Sequence, residues 1–244
     1  MRTIDAQTVI DAAARLCVTA NRVLPPEVHL AFLRALPGET PRGRESLRQL
    51  LDNAALSSGL GLPLCQDCGL AVFFVEKGED VRVSGMGLVQ ALNEGMVRGY
   101  RDGFLRKSTC DPFTRANRGD NSPAVVHCDV VPGDRLRIVA MPEGAGADNA
   151  SRLEMLPPGS TVEDMRDFVV EAVAQACQSV CAPVTVGLGV GGSFELAALN
   201  ARKALLRPEA KGNPHPEGAR LESLCFRALN RLGTGPLGLG GKTT

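Results

Sequence analysis

The sequence predicts an α/β fold, a single domain with a mixed β-sheet flanked by helices and a helical N-terminal region. Three observations carry this. Residues 5–20 place Val9, Ile10, Ala13, Leu16, Cys17 and Ala20 at helical spacing. Residues 70–76 read LAVFFVE, an apolar run rich in aromatic and β-branched side chains, as a buried strand requires. Beyond it, strand-like runs joined by tight turns mix with strand-like runs separated by helical stretches, which is the pattern of a mixed sheet. No repeat, charge block or low-complexity linker divides the 244 residues, so they read as one domain. Within it, residues 1–58 form the helical part and residues 59–244 the α/β part.

In chain order, helices are expected over 5–20, over 26–36 after a double proline, and over 44–57. Residues 70–76 and 80–84 read as two strands, and Lys77-Gly78 between them reads as the turn of a hairpin. A helix over 88–105 carries Leu88, Leu92, Met96 and Tyr100 on one stripe. Residues 124–129 and 135–140 read as a second strand pair, linked through Val-Pro-Gly-Asp. EGAGADNAS (143–151) reads as a glycine-rich bend. Ser160-Thr-Val-Glu163 fits a capping box opening a helix to about residue 180. A strand over 184–190 and helices over 194–206 and 221–232 complete the order, before a tail, GTGPLGLGGKTT, made mostly of glycine.

Bulk properties narrow the function. Hydrophobic residues make up 44% and charged residues 22%, ordinary for a globular chain with a real core. Lys+Arg and Asp+Glu are both 27, so no basic field gathers phosphates, and with no Trp and one Tyr the chain lacks stacking platforms for bases. Nucleic acid is not the expected partner. The N-terminus carries early charges and no continuous apolar run, so neither a signal peptide nor a membrane helix is expected, and the expected location is the cytoplasm. In that compartment eight cysteines point to free thiols, metal ligands or redox groups rather than structural disulfides.

Chemistry concentrates at a few bends. In Leu64-Cys65-Gln66-Asp67-Cys68-Gly69 a thiol stands beside an amide and a carboxylate, suited to a soft or borderline metal and to a substrate carboxylate or hydroxyl. On the residues alone, Cys65-x-x-Cys68 also fits two core thiols first of all, then a redox pair or half of a zinc site. No second close Cys/His pair supports zinc: Cys177 and Cys181 lie at a helix end, and His29, His127 and His215 are scattered. Cys181-Ala-Pro183 sets a thiol at a rigid corner, or buries a small apolar group there. Gly144, Gly146 and GLGVGGSFE (187–195) either bring backbone N–H groups to an anion or serve packing. Arg106 suits a bidentate carboxylate contact, or ends a helix as cations do. The tail nearly spells a phosphate-binding loop, but Pro236 occupies the first glycine position, which removes a nucleotide triphosphatase from consideration.

These pieces also occur in a familiar order. CQDCGLAVFFVEKGEDVRV resembles the CQDTG-type segment of class I, iron–sulfur fumarases and tartrate dehydratases. The similarity continues through LNEGMVRGYRDGFLRKS, RGDNSPAVVHCDVVPGDRLRI, EGAGADNAS, CAPVTVGLGVGGSFELA, ALLRPEAKGNPHPE and LGTGPLGLGGKTT, from about residue 60 to 244. The resemblance implies the α subunit of a hydro-lyase acting on a small dicarboxylate, fumarate/malate before tartrate. It implies a [4Fe–4S] cluster held by three cysteines, a β-subunit partner and a higher oligomer. Cys65 and Cys181 match two cluster ligands, and the third is expected beyond Thr244; Cys225 does not match it. Gln66 and Asp67 match substrate-contacting positions, Asp67 as the proton-handling group. Arg106 matches a carboxylate-binding arginine, and Gly144 or Gly146 a loop whose backbone meets substrate. Cys68 stands where relatives carry Thr and reads as a neutral exchange. The alternatives are a cluster-free scaffold or assembly subunit and, more distantly, a zinc or thiol-redox protein.

Overall fold

A computed structural model describes residues 1–208 and 211–244. In chain order its elements are β1 (Arg2–Asp5), α1 (Ala6–Arg22), α2 (Pro26–Ala35), α3 (Pro41–Leu60), β2 (Leu70–Gly78), β3 (Val81–Ser84), α4 (Leu88–Asp102), β4 (Val125–Val131), β5 (Leu136–Glu143), α5 (Ala145–Ala150), α6 (Val162–Ala176), α7 (Phe194–Ala204) and α8 (Pro216–Leu229). The α/β class, the mixed sheet and the helical N-terminal part are all present. The chain resolves into two compact units, one of residues 1–24 and 53–145, the other of residues 25–52 and 146–244.

The first unit is built around β2. Its run of apolar side chains is buried on both faces, with Phe73 fully enclosed, and both of its edges are paired. β4 lies parallel on one side, Val72 opposite Val125, and β5 antiparallel on the other, Val72 opposite Met141. A parallel neighbour needs a long crossover, and α4 provides it between β2 and β4. The stripe on α4 closes the core: Ala91, Leu92, Met96 and Tyr100 are fully buried against Val9, Ala13 and Cys17 of α1. The two helices approach at glycine. A Cβ at Gly95 would sit 2.5 Å from the Ile10 carbonyl oxygen, and one at Gly99 2.7 Å from that of Ala14. Asp5 starts α1, its carboxylate accepting from the Gln7 N–H at 2.7 Å.

Two strand pairings differ from those expected. β2 and β3 form no hairpin: β2 runs straight through Lys77-Gly78, and β3 pairs in parallel with β1, Arg2 opposite Val81. Nor do β4 and β5 pair with each other; they flank β2. The Val-Pro-Gly-Asp turn instead closes over the end of β2, where Gly78, Glu79 and Asp80 donate to the carbonyls of Arg135, Val131 and Gly133. Those bonds take the donors that a tight hairpin turn would have used.

The second unit packs Val169 and Val173 of α6 against Leu221 and Cys225 of α8. α6 begins one residue later than the expected box: Thr161 caps it, and Asp164 returns the bond to the Thr161 N–H. It ends at Ala176, with turns carrying the chain on. Residues 184–190 form no strand. Gly187 and Gly189 lie directly on the α7 backbone, where a Cβ would come within 2.2 Å of the Ala201 carbonyl and 2.0 Å of that of Ala197, so this segment packs on a helix. The bend over 143–151 contains the short helix α5. Among the described residues no helix is long and apolar enough to cross a membrane.

Candidate active site

The segment 64–69 joins α3 to β2, and its backbone is pinned at both ends. The Leu64 carbonyl accepts from the Asn53 amide at 2.9 Å. Gly69 has a φ of +64, and a Cβ there would lie 2.3 Å from the Glu143 carbonyl, so only glycine fits. Between these anchors the side chains separate. Cys65 and Gln66 are exposed, Asp67 is half-buried and Cys68 is buried. Alternation at a tight bend thus presents a thiol, an amide and a carboxylate outward and sends the second thiol into the core.

Asp67 is held from both sides. Its Oδ1 accepts from the Gly69 N–H at 3.2 Å and its Oδ2 from the Ala145 N–H at 2.9 Å. Gly144 leaves room for this contact, since a Cβ on it would come within 3.2 Å of Asp67 Oδ2. The N–H that the glycine loop offers here is therefore that of Ala145, and Asp67 takes it. Around Gly146 there is open space. Cys65 Sγ accepts from the Asp67 N–H at 3.4 Å.

Cys68 behaves differently. Its Sγ accepts from the Arg106 N–H at 3.2 Å and donates to the Cys65 carbonyl at 3.8 Å. Burial pushes its thiol up, against a smaller downward pull from the Arg106 N–H, so it is a neutral core group. The Arg106 backbone is thereby joined to the 64–69 segment, while its side chain is exposed and joins no ion pair among the described residues. Tyr100, fully buried, donates its hydroxyl to the Cys68 and Gly69 carbonyls at 2.8 and 3.2 Å.

In the second unit Cys181 is exposed at the corner following α6. The glycine-rich tail straps that corner: the Leu237 N–H donates to the Ala182 carbonyl at 2.8 Å, and the Val184 N–H to the Thr244 carbonyl at 3.2 Å. Glu39, 4% exposed, holds the tail in turn, accepting from the Lys242 and Thr243 N–H groups at 2.7 and 2.8 Å. Ser193 caps α7, and the glycines at 187 and 189 serve packing.

Cys65, Cys128 and Cys181 are exposed, as a soft-metal ligand can be, whereas Cys17, Cys68 and Cys225 are buried. Among the described residues no group of three or more His, Cys, Asp or Glu stands ready to hold a metal ion. The first unit brings Cys65, Gln66, Asp67, Gly144 and the Arg106 backbone into one hydrogen-bonded neighbourhood. Reading the sequence missed the supports: Ala145, Tyr100 and Asn121, whose Nδ2 donates to the Gly69 carbonyl at 3.1 Å. Tyr100 and Asn121 fell inside quoted motifs, while a backbone donor such as Ala145 leaves no side-chain mark.

Known proteins resemble this chain over most of its length. An Escherichia coli (strain K12) protein named L(+)-tartrate dehydratase subunit alpha is 34% identical over 209 residues, covering 83% of this chain and 68% of that protein. A Methanocaldococcus jannaschii protein, provisionally given the same name, is 32% identical over 243 residues, covering 97% of this chain and 85% of its own length. The profile of the fumarate hydratase (Fumerase) family matches residues 10–244. With nearly the whole chain matched, the conclusion is direct: it belongs to the fumarate hydratase (Fumerase) family of hydro-lyases.

Proposed function

We propose that this chain is the cluster-carrying α subunit of a cytoplasmic, two-subunit hydro-lyase that adds water to, or removes it from, a small dicarboxylate. Fumarate/malate is the first substrate pair to consider and L-tartrate the second, the latter favoured by the names of the relatives. The observation that carries the reading is the Asp67 carboxylate, fixed by two backbone N–H groups beside the exposed Cys65 thiol and Gln66 amide.

Hydration of a trans-butenedioate requires both carboxylates to be held, a water to be activated and a proton to reach a carbanion-like carbon. Asp67 is suited to the proton. Each of its oxygens accepts one N–H, which fixes the carboxylate and leaves lone pairs free to take and return a proton. Gln66 offers an exposed amide to a substrate hydroxyl or carboxylate. The Arg106 guanidinium, exposed on a chain segment tied to Cys68, suits a bidentate grip on one carboxylate. The loop at Gly144 and Gly146 brings backbone close to that carboxylate. Cys65 and Cys181, with a third thiolate from outside residues 1–244, would hold a [4Fe–4S] cluster, which would supply a Lewis-acidic iron.

The remaining base and cationic groups come from a β subunit. Tyr100 is enclosed, its hydroxyl already given to two carbonyls, so it is not free for catalysis. Relatives named as alpha subunits support a partner chain, which fits a larger oligomer. The test is anaerobic co-purification with the β chain, then assay of fumarate hydration and of L-tartrate dehydration to oxaloacetate. Turnover of either supports the reading. An iron-loaded complex that turns over neither overturns it.

A further inference from the structure

Asn121 is fully buried, 0% exposed, and occupies a left-handed backbone position with a φ of +65. Asparagine is one of the few residues that adopts this conformation at small cost, and here its amide is used throughout. Oδ1 accepts from the Ser108 N–H at 2.7 Å, the Thr109 N–H at 3.1 Å and the Thr109 hydroxyl at 3.2 Å. Nδ2 donates to the Gly69 carbonyl at 3.1 Å. One side chain thus bridges two segments: residues 108–109, one residue beyond Arg106, and residue 69, directly after Asp67 and Cys68.

Among the described residues, the other ties between these segments are weaker or off-centre. Cys68 Sγ accepts a single N–H from Arg106, a sulfur acceptor being a poor one, and Tyr100 reaches the Cys68 and Gly69 carbonyls but not residues 106–109. With Asn121 removed, the Ser108 and Thr109 N–H groups lose their shared acceptor inside the protein. Relieving that deficit requires the main chain to move toward other partners or water, and Arg106 moves with it.

We propose that Asn121 is a positioning residue for substrate-carboxylate binding: its amide fixes the segment carrying Arg106 against the segment carrying Gln66 and Asp67. This rests on the assignment of Arg106 as the carboxylate-binding group. Asn121 touches no reacting atom; it acts through Arg106.

The test is calorimetric binding of succinate, a four-carbon dicarboxylate, and of butyrate, its monocarboxylate counterpart, to the anaerobic α–β complex. Arg106→Ala is expected to weaken succinate about tenfold or more while leaving butyrate within about twofold. Asn121→Ala is expected to reproduce that selective loss, and the double variant to bind succinate within about twofold of Arg106→Ala, because both changes remove one interaction. Asn121→Asp keeps the size, the tolerance of positive φ and the Oδ1 acceptor but has no Nδ2 donor for the Gly69 carbonyl, so it breaks the bridge at that end. It decides by the same criterion should the alanine variant fail to fold. The inference is overturned if both Asn121 variants weaken succinate and butyrate equally, leave succinate unchanged, or add in full to the loss from Arg106→Ala. If Arg106→Ala itself shows no selective loss, the assignment of Arg106 falls, and the inference with it.

Discussion

Asp67 Oδ2 accepts the Ala145 N–H at 2.9 Å across 78 residues of sequence, joining the bend before β2 to the loop after β5. Because β2 and β5 are antiparallel neighbours, with Leu70 opposite Glu143, their adjacent ends deliver both segments to one place. The carboxylate is thus oriented by the sheet register and not by a flexible loop.

Asp67→Asn keeps the shape but replaces one acceptor oxygen by an NH2 group, which then faces the N–H of Gly69 or of Ala145. Loss of a general acid–base group lowers kcat about 10²- to 10⁴-fold. Steady-state kinetics at saturating substrate check this, and a kcat within a few fold of the parent removes Asp67 from the proton-handling role.

Tyr100→Phe removes the donor shared by the Cys68 and Gly69 carbonyls. Gly69 retains Asn121, whereas Cys68 is left with an unpaired buried carbonyl. The expected loss is about 1–3 kcal/mol in denaturant unfolding. An unchanged midpoint would mean that the hydroxyl bears no such load.

Gly95→Ala puts a methyl 2.5 Å from the Ile10 carbonyl oxygen and 2.6 Å from Ala13 Cβ, so α1 and α4 must separate. Overpacking of this kind is expected to destabilise by about 1–3 kcal/mol even though alanine is the better helix former. A variant as stable as the parent would show that the two helices do not approach this closely.

Glu39 gives a pH dependence. Burial alone would raise its carboxyl, but the N–H groups of Thr40, Lys242 and Thr243 outweigh this and hold it below the ordinary glutamate value. A lowered folded-state pKa adds stability that is fully present above the unfolded value, about 4.3, and is lost as pH falls through the lowered one. Glu39→Gln is therefore expected to be less stable at neutral pH and to lose less than the parent on acidification. Thermal midpoints of both proteins across this range check the sign, and parallel curves would contradict it.

What was legible in the sequence follows interaction range. The α4 stripe and the buried run of β2 are local patterns, and both formed as read, with Leu92, Met96, Tyr100 and Phe73 inside. Strand partners are not local. Lys77-Gly78 has the composition of a turn, but the Val-Pro-Gly-Asp turn supplies the carbonyls that occupy the end of β2. Residues 184–190 are apolar enough for a strand, yet Gly187 and Gly189 find a helix backbone there. At the site, the polar cluster at 65–67 stood out because thiol, amide and carboxylate rarely share a tight bend. Its supports did not. Ala145 contributes through its N–H alone, and the role of Asn121 depends on a left-handed backbone that one Asn beside Ser-Pro does not announce.

The most direct test of the account is iron content after anaerobic reconstitution of the α–β complex. Cys65→Ser and Cys181→Ser are each expected to lose the cluster iron and its broad visible absorption, while Cys68→Ser, altered in the core and not at a ligand, keeps both. Retention of full iron by either ligand variant, or its loss from Cys68→Ser in a folded protein, would contradict a cluster built on Cys65 and Cys181.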